Sequence, residues 1–197
     1  MENLSEPLKV IFISPVELKN YAENAVASLG CDEATCISND ESTIIEVADK
    51  FIGENCLYIV LTNDLSNSEN IALNKLFLTK NKQVLWISIQ ESIVSVGPWV
   101  KYQYSACLAC VLNQSKYFKI DFTSPEKDVL NLNSNLNNQL NINLFISPTE
   151  KEHRLLKSGV ILNYDSNGLS DSYYVLKDPN CSDCSRWLNT PTEVFYS

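Results

Sequence analysis

This chain of 197 residues predicts an α/β fold: a Rossmann-like, mostly parallel sheet with helices on both faces, plus a C-terminal β-hairpin and zinc knuckles. Three observations predict it. Short apolar runs of strand length alternate with segments of helical periodicity through about residue 90, the pattern of a parallel sheet covered by helices. A turn sequence near the C-terminus separates two further strand-like runs. Two Cys-x-x-Cys pairs, Cys107/Cys110 and Cys181/Cys184, stand far apart with matched spacing.

The first run, residues 8–13, reads as a buried strand. Ser14-Pro15 then offers a capping hydroxyl and a favourable first-turn proline for a helix over 16–29, with Gly30 as its stop. Residues 34–38 form a second strand, and Asp40 caps a helix carrying Ile44, Ile45, Val47, Ala48, Phe51 and Ile52, ended by Gly53. Residues 57–61 are a third strand, followed by a polar loop over 63–68 and a helix through Ile71, Leu73, Leu76, Phe77 and Leu78. Residues 83–89 are the fourth strand.

Beyond residue 90 the pattern changes. Segments 92–100 and 117–122 read as strands, with the first cysteine pair between them. Residues 126–143 are rich in Asn and Leu and read either as a soft helix or as a crossover segment. A short charged helix over 148–157 precedes strands at 159–164 and 169–176, which flank Asp165-Ser166-Asn167-Gly168 as an antiparallel hairpin. The whole reads as one domain: a Rossmann-like core with the first knuckle over 8–122, an Asn-rich crossover over 123–147, and hairpin plus second knuckle over 148–197.

The net charge of -9 argues against binding to nucleic acid or to an anionic membrane, because phosphates are repelled. Residues 1–7 are polar and acidic, unlike an export signal, and no stretch approaches the length of a transmembrane helix, so a cytoplasmic protein is expected. Seven cysteines without an export signal argue for reduced thiols. Cys107, Cys110, Cys181 and Cys184 supply the four thiolates of a tetrahedral structural zinc site. Their alternative is a thiol redox pair. Cys31, Cys36 and Cys56 read as packing residues, with a Cys31/Cys36 redox pair as the alternative.

Signals for catalysis are thin. A nucleotide-binding Rossmann fold needs a glycine-rich turn after its first strand, where backbone N–H groups meet phosphate. Here that turn is Ser14-Pro15-Val16-Glu17: it has no glycine, Pro15 lacks an N–H, and Glu17 repels phosphate. Asp40 stands where a ribose-binding carboxylate would sit, but reads as a helix cap. The single histidine, His153, falls in a charged run and reads as part of a solvated helix face. No catalytic or cofactor-binding residue is assigned.

One family does come into view. Val96-Gly97-Pro98-Trp99-Val100, six residues, then Cys107-Leu108-Ala109-Cys110 resembles the segment of E1-like (ThiF-type) proteins that reads Gly-Pro, an apolar stretch and Cys-x-x-Cys. Asp178-Pro179-Asn180-Cys181-Ser182-Asp183-Cys184 resembles the closing zinc knuckle of that family. E1-like proteins adenylate a carboxylate with ATP, and the missing glycine loop departs from this. The pattern is most similar to the E1-like partner proteins of thiazole/oxazole-modified peptide pathways, including thiopeptide and azole bacteriocin biosynthesis. There the partner presents a ribosomally made precursor to a YcaO-type cyclodehydratase.

With the first strand starting near Leu8, no room is expected for the winged-helix leader-recognition domain with which family members usually begin. The resemblance implies a non-catalytic, zinc-stabilised scaffold that recruits YcaO-type cyclodehydratase and associated modifying enzymes, with the precursor peptide and a homodimer as further partners. The alternative is an ATP-dependent E1-like adenylyltransferase with an atypical phosphate loop.

Overall fold

The structure, a computed structural model, describes residues 9–29, 34–39, 44–53, 56–90, 93–101, 105–118, 159–165 and 168–185. Expectations for Gly30, Cys31, Asp40, His153, the Asn-rich segment and the helix over 148–157 fall outside these residues.

Strands β1 (Lys9–Pro15), β2 (Ala34–Asn39), β3 (Cys56–Thr62) and β4 (Gln83–Ile89) pair in parallel, with β1 between β2 and β3. Strands β5 (Val94–Val100), β6 (Val160–Asp165) and β7 (Gly168–Tyr174) continue the same sheet by antiparallel pairing. The order of the seven strands is β2-β1-β3-β4-β5-β6-β7. The expectation of a mostly parallel sheet with an appended hairpin is therefore corrected. The sheet is mixed, and the hairpin is its far edge. Connection length explains the change of direction: β4 and β5 are joined through residues 90–93, too few for a parallel crossover.

Helices lie on both faces. On the first face are α2 (Ile44–Lys50), α3 (Ser68–Thr79) and α4 (Leu108–Phe118); on the second is α1 (Lys19–Leu29). The central strands divide residue by residue between two cores. Ile11, Ile13, Tyr58, Val60, Val84 and Trp86 join the first, while Val10, Phe12, Leu57, Ile59, Leu85 and Ile87 join the second. Burial on both sides is why these strands read as unbroken apolar runs.

Three local readings are corrected. Ser14 does not cap a helix: β1 runs on to Pro15, with Ser14 opposite Ser38 of β2. Pro15 is itself the N-cap, without a side-chain cap bond, of a 3-10 turn over Val16–Leu18 that leads into α1. Parallel pairing with β2 outcompetes the local cap. The strand expected over 117–122 is displaced, because α4 runs from Leu108 to Phe118; residues 119–122 fall outside the description.

Gly97-Pro98 has a packing explanation. Leu85 faces Trp99 and Ile87 faces Val96, so Gly97 and Pro98 together oppose Trp86 alone, a β-bulge in β5. Gly97 has φ of 122°, and a Cβ there would run into the carbonyl oxygen of Val160 on β6. Only glycine fits a bulge pressed so closely on its neighbour.

Candidate metal centre

The two cysteine pairs meet on the first face of the sheet, against α3. Cys107 immediately precedes α4 and Cys110 lies in its first turn. The first pair thus straddles the start of the helix, where a spacing of three residues puts both thiols on one side. The loop entering it is closed by Ser105, whose Oγ accepts from the Lys101 N–H at 2.6 Å and donates back to the Lys101 carbonyl at 3.0 Å.

The second pair lies in a tight turn after β7. The Asp178 carboxylate accepts from the Asn180 N–H at 2.8 Å, a local turn that Asp favours. The Cys181 N–H donates to the Asp178 carbonyl at 3.1 Å, and the Ser185 N–H donates to the Cys181 carbonyl at 3.0 Å. Gln114 of α4 steers the approach: its Nε2 donates to the Leu176 carbonyl at 2.6 Å and its Oε1 accepts from the Leu176 N–H at 3.3 Å.

All four cysteines are buried, and their sulfurs lie within 4.8 Å of one another. Cys107 Sγ is 3.9 Å from Cys110 Sγ and 3.7 Å from Cys181 Sγ, and Cys110 Sγ is 3.5 Å from Cys184 Sγ. These separations are far beyond a disulfide bond of about 2.05 Å. They match the edge of a tetrahedron of thiolates around one ion, about 3.8 Å for a metal–sulfur bond of about 2.3 Å. The residues therefore fit a tetrathiolate metal site, as their spacing predicts.

The Cys110 thiol is pulled down to about 2 by hydrogen bonds from Cys107 and Cys184, with the Asp178 N–H, 3.4 Å from its sulfur, adding to the effect. Cys107 is pushed up to about 12, first by its bond to Cys110 and then by burial. Cys184 is also raised, by donating to Cys107 and Cys110 and by burial. One thiolate is held by protonated neighbours. Four thiolates in this volume require a cation to offset their repulsion.

Residues that sequence reasoning missed complete the surroundings. Asn74 of α3 is fully buried; its Oδ1 accepts from the Leu108 N–H at 3.2 Å and its Nδ2 donates to Asp183 at 3.3 Å. Asp183 also pairs with Lys75 at 3.7 Å. A polar residue inside the stripe Leu73, Phe77, Leu78 was the available signal. Cys36 and Cys56 are half-buried, pack against the second and first cores respectively, and are not among the four clustered thiols. Burial, followed by the nearby Glu23, pushes the Cys36 thiol up.

At the other end of the sheet, the junction between β1 and α1 is the 3-10 turn of Val16, Glu17 and Leu18, closed by the Lys19 N–H on the Val16 carbonyl. At the carboxyl end of β3, Asn70 donates to Thr62 Oγ1 at 2.8 Å and to the Asp64 carbonyl at 2.6 Å. No helix among the described residues is long and apolar enough to cross a membrane.

No family model and no curated protein matches the chain. Solved structures do. A heterocyclase in complex with substrate and cofactor has a TM-score of 0.59 at 16% identity, over 90% of this chain and 26% of that one. The heterocyclase TruD has a TM-score of 0.53 at 16% identity, over 91% of this chain and 28% of that one. Escherichia coli MccB with AMPCPP and MccA has a TM-score of 0.56 at 15% identity, over 90% of this chain and 66% of that one. The chain spans about a quarter of the length of the two heterocyclases. What it shares with all three is the fold.

Proposed function

We propose that this chain is a non-catalytic, zinc-stabilised E1-like scaffold in the maturation of ribosomally made azole peptides, of the thiopeptide or azole bacteriocin kind. The observation that carries the proposal is the buried tetrathiolate cluster, which ties the end of the described chain to α3 and α4 on a sheet shared with heterocyclases and MccB. Zinc is the natural occupant: four thiolates in tetrahedral array suit it, and a closed set of four leaves no open position for chemistry. Bound there, it supplies a crosslink.

The β1–α1 junction supports a role without catalysis. Pro15 offers no N–H and Glu17 places a carboxylate in the first turn, the opposite of a phosphate cradle. The likeness to MccB with MccA supports a precursor peptide as one partner. A YcaO-type cyclodehydratase and associated modifying enzymes are the others.

The purified chain is expected to carry one zinc ion, to retain a precursor peptide or a YcaO-type cyclodehydratase in a pull-down, and to catalyse no ATP–pyrophosphate exchange. Failure to bind either partner overturns the scaffold reading. A second reading, an adenylyltransferase with an atypical phosphate loop, is favoured by the likeness to MccB with AMPCPP. Peptide-dependent ATP–pyrophosphate exchange would establish it.

A further inference from the structure

We infer that Asn74 is a positioning residue of the metal centre, a latch on α3 that holds both knuckles in register for a single ion; this rests on the metal reading above. Each end of its carboxamide grips a residue next to a ligand. Oδ1 accepts from the N–H of Leu108, adjacent to Cys107, at 3.2 Å. Nδ2 donates to the carboxylate of Asp183, adjacent to Cys184, at 3.3 Å.

Chemistry dictates the orientation. A backbone N–H only donates and a carboxylate only accepts, so one side chain must offer an acceptor on one side and a donor on the other. Asn does so without charge. The Leu108 N–H is one of the unsatisfied donors at the start of α4, and Asn74 caps it from a different helix. The two knuckles lie 74 residues apart in the chain and are thus referred to one rigid third element. Partners just outside a ligand set orient the ligands, and losing one typically weakens metal binding about 10–100-fold.

The test is a charge swap followed by metal affinity. Asn74→Asp keeps an acceptor for Leu108 but sets a carboxylate against Asp183. The double variant Asn74→Asp/Asp183→Asn restores a donor–acceptor pair with its polarity reversed. Cobalt(II) is added to each full-length protein and titrated against a chelator, reading the visible bands of tetrahedral thiolate-bound cobalt. Urea denaturation of the chelated proteins is measured in parallel.

Asn74→Asp should release cobalt at about 10–100-fold lower chelator concentration, and the double variant should recover most of that loss. Wild-type affinity in Asn74→Asp, or a double variant no better than the single one, overturns the inference while leaving the metal reading intact. So does a loss confined to the stability of the chelated protein. A wild-type protein that gives no thiolate–cobalt spectrum overturns the metal reading and this inference together.

Discussion

Tyr58 sits fully buried in an apolar face, yet its hydroxyl is satisfied: it donates to the Phe51 carbonyl at 3.2 Å and accepts from the Gly53 N–H at 2.9 Å. Those bonds tie β3 to the chain leaving α2. Burial, against the Gly53 bond and with Cys56 nearby, pushes the phenol up from 10 to about 12. The folded state therefore holds the proton more tightly than the unfolded chain. Stability from Tyr58 is fully present below pH 10 and is lost as pH rises toward 12. Tyr58→Phe should cost about 1–2 kcal/mol at pH 8, and the gap to wild type should narrow by pH 11, as read by urea denaturation at both values. A gap that widens with pH would contradict this assignment. At this scale the four clustered cysteines were legible, because thiols at Cys-x-x-Cys spacing are rare and chemically specific. Asn74 was not: an Asn in a helical stripe gives no sign of what it will meet 34 residues later.

Among elements, the bulge in β5 offers a sharp test. Gly97→Ala would place a methyl group against the Val160 carbonyl in a backbone conformation that L-residues rarely adopt. A loss of about 3 kcal/mol is expected, seen as a lower urea midpoint with an unchanged slope. An alanine variant as stable as wild type would show that β5 and β6 are not pressed together as described. Strands β1 to β4 were legible to within about two residues because both faces are buried and the apolar runs are unbroken. The start of α1 was misread because Ser-Pro carries a strong local cap signal, whereas the β1 ladder that overrides it is supplied by β2, a distant segment. The start of α4 was hidden for a similar reason. Cysteines and small residues carry little helical periodicity, and the helix is capped from outside by Asn74.

Across the whole molecule, the four-cysteine cluster is where the last described residues rejoin the sheet. Cys181→Ser should abolish metal binding and destabilise the chain by about 3 kcal/mol or more, since a structural zinc contributes its binding energy to folding. In a chain of this length that lowers Tm by roughly 6–12 °C. Metal content by atomic spectroscopy and thermal melts, with and without a strong zinc chelator, check it. The chelated wild type should fall to the variant's Tm, and the chelator should not move the variant at all. A variant that melts like wild type with its metal intact would refute the crosslink.

The strands of the parallel half, the helices on two faces and the four cysteines that cluster could all be anticipated from sequence, because each rests on local patterning or on unmistakable side-chain chemistry. Tertiary structure alone decided that the hairpin closes the same sheet, that Gly97 is squeezed between neighbouring strands, and that Asn74 of α3 bonds to residues beside both cysteine pairs. Those features depend on contacts between segments tens of residues apart. Such contacts are selected by packing and by the need to satisfy buried polar atoms, and neither leaves a periodic mark on the chain.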